Sequence, residues 1–230
     1  MTNFRLSLVV ALSALTLSLS AQNKDWANHG RFEKDNVELI KKGPDNRRVV
    51  FMGNSITEGW AAQRPEFFSS NDFVGRGISG QTSYQFLVRF RDDVINLKPK
   101  AVVINAGTND VAENTCPYNE DRTFGNIVSM VELAKANNIK VILTTVLPAA
   151  GFGWNRAITD SSDKIAKLNK RLSEYAKKNK IPFVDYYTPL VHGDNRALNP
   201  AYSNDGVHPT AKGYEVMEAT VLPVIRKIVK

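Results

Sequence analysis

A hydroxyl at the end of an apolar run is the first group in this chain that could do chemistry. The stretch VVFMGNSIT, Val49 to Thr57, stops abruptly at Gly53-Asn54-Ser55, so a buried strand there would present Ser55 above a sheet edge. A serine hydroxyl is a weak nucleophile until a base takes its proton, and His208 in DGVHP is the candidate base. An imidazole can accept and return such a proton near neutral pH. Asp205, three residues earlier on the same turn, would hold the imidazole tautomer and steady the imidazolium. Attack on an acyl carbon develops an oxyanion, which needs donors aimed at it. The backbone N–H of Ser55, that of Gly80 in ISGQTS and the side-chain amide of Asn109 in GTND would supply three. A glycine at position 80 would let the oxyanion approach the backbone closely.

These groups need a scaffold that brings them to one edge. Five apolar runs read as strands: Arg48 to Met52, Phe73 to Ile78, Ala101 to Ala106, Lys140 to Leu147 and Pro182 to Asp185. Runs that are continuously apolar fit strands covered on both faces. Helical spacing fills the gaps, with Tyr84, Leu87, Val88, Val94 and Ile95 in one segment and Phe124, Ile127, Val128, Val131 and Ala134 in the next. Ile165, Leu168, Leu172 and Tyr175 mark another, and a last helix carries Tyr214, Met217, Val221, Val224 and Ile228, with Pro223 expected to kink it. Strands alternating with helices predict an α/β fold: a five-stranded parallel sheet with helices on both faces, joined by right-handed crossovers. Ligands in such sheets bind beyond the carboxyl ends of the strands, where Ser55, Gly80, Asn109 and the Asp205–His208 pair would all fall.

Composition narrows the class. The 230 residues are 43% hydrophobic and 23% charged, an ordinary globular balance. Thirty Lys and Arg against 23 Asp and Glu give a formal charge of +7, but the surplus is scattered, and aromatic and basic residues do not interleave as in nucleic-acid binders. After Arg5 the run LSLVVALSALTLSLSA, closed by small residues, has the layout of a secretory signal peptide over 1–21, with a signal anchor as the competing reading. A helical arm over 22–46 would then precede a single α/β domain over 47–230. The expected location is secreted or periplasmic, with no stable membrane insertion after cleavage and no cysteine to carry a lipoprotein anchor. Cys116 is the sole cysteine, so no intrachain disulfide is possible.

The segments GNSIT, ISGQTS, GTND and DGVHP, in this order, resemble the SGNH/GDSL hydrolase superfamily over nearly the whole chain from Arg48 onward. The resemblance implies a flavodoxin-like three-layer αβα fold, a Ser55–His208–Asp205 triad, an oxyanion hole of Ser55, Gly80 and Asn109, and no metal or organic cofactor. It implies a serine esterase acting on a small-molecule or glycan ester, and the compact form most resembles carbohydrate acetylesterases. The family's name motif would read GDS where this chain has Asn54, which affects hydrogen bonding around the serine turn.

Other readings compete at each position. Ser55 with Glu58 resembles a helix capping box. Asn109-Asp110 could be a strand-end turn, with Asp110 structural. Gly75, Gly77 and Gly80 spell a GxGxxG, but the first two sit inside the strand, where no pyrophosphate is cradled. Phe152, Trp154, Asn155 and Arg156, flanked by glycines after the fourth strand, would shape a substrate groove, whereas Trp60 reads as packing. His29 and His192 have no evident partner and read as surface residues. Rival functions are a lipid-directed esterase or thioesterase of the lysophospholipase or platelet-activating-factor-acetylhydrolase kind, and an inactive glycan-binding module.

Overall fold

The structure, a computed structural model, describes residues 25–229. The expected signal segment lies outside the described residues. The strands are β1 (Asp45–Gly53), β2 (Phe73–Gly77), β3 (Pro99–Ile104), β4 (Lys140–Thr144) and β5 (Phe183–Val184), all parallel and ordered β2-β1-β3-β4-β5. This is the expected flavodoxin-like order, and it reverses direction between β1 and β3, where a crevice opens beyond the strand ends.

Alternation along β1 divides the core. Val50 and Met52 point to one face, with Val102 and Ile104 of β3, and are covered by α4 (Ser83–Phe90), α6 (Glu120–Ala136) and α7 (Ser161–Lys178). Val49 and Phe51 point to the other, covered by α2 (Ser55–Gln63), α3 (Pro65–Ser69) and α9 (Ala211–Ile228). On that second face Trp60 stacks between Phe67 and Tyr214 at 5.1 and 5.7 Å, so it is core packing as expected. The α9 helix runs on through Pro223.

Several boundaries differ from expectation for local reasons. The β4 strand stops at Thr144 although the next residues are buried. Asn169 of α7 takes over the backbone of Val146, accepting from its N–H at 2.7 Å and donating to its carbonyl at 2.9 Å. The β5 strand is only two residues long because Asp185 turns to accept the N–H groups of Tyr187 and Thr188 and so starts α8 (Tyr187–Leu190). The polar loop that follows holds a small hairpin, β6 (Val191–His192) with β7 (Ala197–Leu198). The arm is not one helix: Asn28 sits in the left-handed region at φ 56°, a 3-10 turn covers His29–Arg31, and α1 runs over Glu33–Lys42. Its polarity is inverted, with Asn36 buried against Asp93 and Arg76 while Val37 and Ile40 are about half exposed. His29 is not an unpartnered surface residue: its Nδ1 lies 2.8 Å from the Asp92 carboxylate.

Candidate active site

Ser55, Gly80 and Asn109 each follow the end of a strand, and Asp205 and His208 lie in the loop that leads into α9. The β1 strand ends at Gly53, and Asn54 caps α2 by accepting the N–H of Ile56 at 3.0 Å. The cap is therefore Asn54, and the competing reading of Ser55 as the cap falls. The amide oxygen at the departed position makes this bond, and the Ser55 hydroxyl is left for other work. It lies 2.8 Å from Nε2 of His208, while Nδ1 of the same ring lies 2.7 Å from Oδ2 of Asp205. A carboxylate only accepts, so Nδ1 carries the ring proton and Nε2 is free to accept from serine.

Asp205 is held as firmly as it holds. Its Oδ1 accepts the N–H of Val207 at 2.9 Å and of His208 at 2.8 Å, and the hydroxyl of Ser203 at 3.2 Å. Partial burial works to raise this carboxyl, but the His208 N–H, the His208 ring and the Val207 N–H outweigh it and hold it down at about 2. The ion is therefore fully present above the ordinary 3.8 and is lost only as pH falls through about 2. Ser203, whose hydroxyl also accepts the Gly206 N–H at 3.0 Å, was not visible in the sequence, because a serine in a polar loop carries no distinguishing signal.

The expected oxyanion donors converge on the same hollow. Ser55, Gly80, Asn109 and His208 line a cavity of about 380 Å³ together with Ser79, Asn114 and Trp154. Gly80 has φ 77°, and a Cβ built on it would meet open space, so glycine is required there by the backbone conformation and not by crowding from the protein. Asn109, buried at the start of α5 (Thr108–Val111), donates to the Gln81 carbonyl at 2.9 Å, which orients its amide and leaves a second proton. Asp110 is structural, as expected: it takes the N–H and hydroxyl of Ser83 and the hydroxyl of Thr123. Burial pushes its carboxyl up against these bonds. A slightly larger hollow of about 410 Å³, lined by lysines, two asparagines and apolar groups, lies at the opposite ends of β4 and β5 and holds no nucleophile–base pair. Among the described residues no group of His, Cys, Asp and Glu could hold a metal ion.

A serine–imidazole–carboxylate relay facing amide donors can transfer an acyl group. The family model for GDSL-like lipases and acylhydrolases matches residues 51–216. This chain belongs to that family. It is similar to solved structures from Bacteroides fragilis (66% identity, TM-score 0.88, covering 90% of this chain and 100% of that one) and from Bacteroides thetaiotaomicron, a GDSL-like lipase (64%, TM-score 0.84, 87% and 98%). It is 29% identical to the human platelet-activating factor acetylhydrolase IB subunit alpha2, over 85% of this chain and 81% of that protein. It is 29% identical to a multidomain esterase of Ruminococcus flavefaciens, over 79% of this chain but only 23% of that much longer protein. The chain is thus an ester hydrolase of the GDSL family, with the three-layer fold its motifs implied.

In this GDSL hydrolase the loop after β4 divides its expected roles. Trp154 is on the rim, 48% exposed, its indole 6.1 Å from the His208 ring. Phe152 is not: it is buried at 3% exposure and supports Trp154 from below, ring centroids 5.2 Å apart. Asn155 donates to the Ala112 carbonyl at 2.9 Å and so fixes the loop, and exposed Arg156 is not among the cavity's lining residues. Asn114 was missed. It accepts the Trp154 Nε1–H at 2.9 Å and donates to the Gly80 carbonyl at 3.1 Å, joining the aromatic rim to the Gly80 loop.

Proposed function

We propose that this enzyme removes small acyl groups, acetyl above all, from a carbohydrate through an acyl-enzyme on Ser55. The observation that carries the mechanism is the relay Ser55–His208–Asp205 at 2.8 and 2.7 Å. Ser55 Oγ attacks the ester carbon as its proton passes to Nε2, and the tetrahedral oxygen takes its negative charge toward Ser55 N–H, Gly80 N–H and the second amide proton of Asn109. The first N–H groups of a helix have no partner within it, which suits Ser55 at the start of α2. Collapse expels the alcohol with the proton from His208, and water, activated by the same imidazole, then releases the acid and regenerates the serine. Asn109→Ala should lower kcat by about 100- to 1,000-fold with little change in KM, measured on nitrophenyl acetate.

The substrate reading rests on the cavity. The surface it presents is mainly apolar, with the half-exposed Trp154 indole beside the nucleophile, and such an indole suits the face of a sugar ring. Trp154→Ala should raise KM for an acetylated xylo-oligosaccharide about threefold to tenfold while leaving nitrophenyl acetate turnover within about twofold. The relative named for platelet-activating factor favours a second reading, an acetyl ester on a lipid. Rates of acetate release from an acetylated xylo-oligosaccharide and from an acetyl ester of a long-chain lipid alcohol separate the two, and a preference for the lipid ester would sink the carbohydrate reading. The apolar run after Arg5 supports an exported or periplasmic location. No helix of the described residues is long and apolar enough to cross a membrane.

A further inference from the structure

We infer that Glu58 is a positioning residue that fixes the spacing between the nucleophile and the oxyanion donor at Gly80, an inference that rests on the roles proposed above for Ser55 and Gly80. Glu58 sits in the first turn of α2, three residues after Ser55, and its side chain reaches across to the oxyanion loop. One carboxylate oxygen, Oε2, accepts both the N–H of Ser79, at 2.9 Å, and the Ser79 hydroxyl. The other, Oε1, accepts from the Arg31 guanidinium at 3.1 Å. Partial burial works to raise the Glu58 carboxyl, but the Ser79 hydroxyl, Arg31 and the Ser79 N–H together hold it below its ordinary range.

The need for such a tie follows from how the loop is built. Up to Gly77 the end of β2 is locked to α2 by contact: a Cβ on Gly77 would lie 2.2 Å from the Glu58 nitrogen and 2.6 Å from the Asn54 carbonyl, so only glycine lets the two backbones meet. Beyond it the chain leaves this contact. Ser79 and Gly80 are exposed, and Gly80 stands at φ 77° over open space. The Gly80 carbonyl accepts from Asn114 at 3.1 Å, but that bond leads to the Trp154 rim and not to the helix that carries Ser55. Glu58 answers this from the nucleophile's own helix, so that Ser55 and the Ser79–Gly80 peptide move as one body. The Arg31–Glu58 pair, with side chains 50% and 31% exposed, adds little by itself. The two bonds to Ser79 do the positioning, and a shift of about 1 Å at a catalytic group can cost roughly 100-fold in rate.

Three variants test this, with kcat expressed per site titrated to completion by a fluorophosphonate. Glu58→Gln keeps an acceptor oxygen at the same reach and should stay within about threefold of the parent. Glu58→Ala and Glu58→Asp, the second keeping the charge but withdrawing it by one methylene, should each lose about tenfold to 100-fold in kcat at unchanged KM. The phosphonylation rate should fall in parallel, because the phosphoryl oxygen uses the same donors. The inference is overturned if Glu58→Asp is as active as the parent, if Glu58→Gln is as impaired as Glu58→Ala, or if the losses lie in KM or in the number of titratable sites. Ser55→Ala is the control that separates the two readings. If that variant still turns over ester, the nucleophile assignment fails. If it is inactive while Glu58→Ala and Glu58→Asp keep the parent kcat, only the positioning role fails.

Discussion

Ser55→Ala should lower kcat for nitrophenyl acetate by at least about 10,000-fold, and His208→Ala should do nearly the same. The size of the effect comes from what the hydroxyl does, since removing it takes away both the attacking atom and the only covalent route to the acid. The double variant should lose no more than either single one, because nucleophile and base act as one unit. What survives should be the modest acceleration given by the oxyanion donors acting on water, and that residue should fall further when Asn109→Ala is added. The substitution is clean in structural terms. Ser55 does not cap its helix, a task Asn54 performs, so deleting the hydroxyl costs α2 nothing and the thermal midpoint should not move. A fluorophosphonate should label the parent on Ser55 and leave the variant unmarked. Retention of a tenth of the parent activity by Ser55→Ala would remove the basis of the mechanism.

The convergence of Ser55, Gly80 and Asn109 was legible because each follows a strand end, and strand ends announce themselves, whereas Asp205 and His208, in the loop before α9, were legible from their spacing on one turn. An apolar run broken by glycine or an Asn-Asp pair locates the rim, and a parallel sheet puts all such rims on one side. Side-chain direction within a loop has no comparable signal. Glycines around Phe152 and Trp154 showed a shaped loop, but not that one ring would turn inward and the other outward. Asn114 looked like any polar loop residue, and the pairing of His29 with Asp92 spans 63 positions, beyond any local pattern. The segment before β3 misled in a more instructive way. Its apolar spacing put Val88 on the inner face, yet Val88 is 51% exposed, while Arg89 is fully buried beside Phe86 and Phe90. Arg89 and Asp93, four apart on a helical turn, have the spacing of an ordinary solvent-facing ion pair, and nothing local marks this one as internal.

That buried arginine carries the other large expectation: Arg89→Met should destabilise the fold by about 3–5 kcal/mol, seen as a lower denaturant midpoint at an unchanged slope. Every nitrogen of its guanidinium has a partner. Nε donates to the Gln81 side chain at 2.6 Å, Nη1 to Asp93 at 2.6 Å, and Nη2 to the carbonyls of Gly53 at 3.0 Å and Arg76 at 2.9 Å. Burial disfavours the charge, and Asp93, 2% exposed, offsets that cost. Methionine fills similar volume but leaves Asp93 with the Asn36 amide as its remaining side-chain hydrogen bond and only the charge of Arg76 to offset its own, and leaves two strand-end carbonyls and the Gln81 amide oxygen without this donor. Adding Asp93→Leu should recover part of the loss by removing a buried carboxylate that has lost its ion-pair partner, and not all of it, because the bonds to the two carbonyls are not restored and Arg76 loses the Asp93 charge. Gly53 directly precedes the serine turn, and Gln81 accepts the Asn109 amide through its own carbonyl. Arg89 therefore joins the ends of β1 and β2 behind the oxyanion loop, and the recovered double variant should be stable yet slower in kcat. Full recovery of both stability and kcat would show that Arg89 only neutralises Asp93.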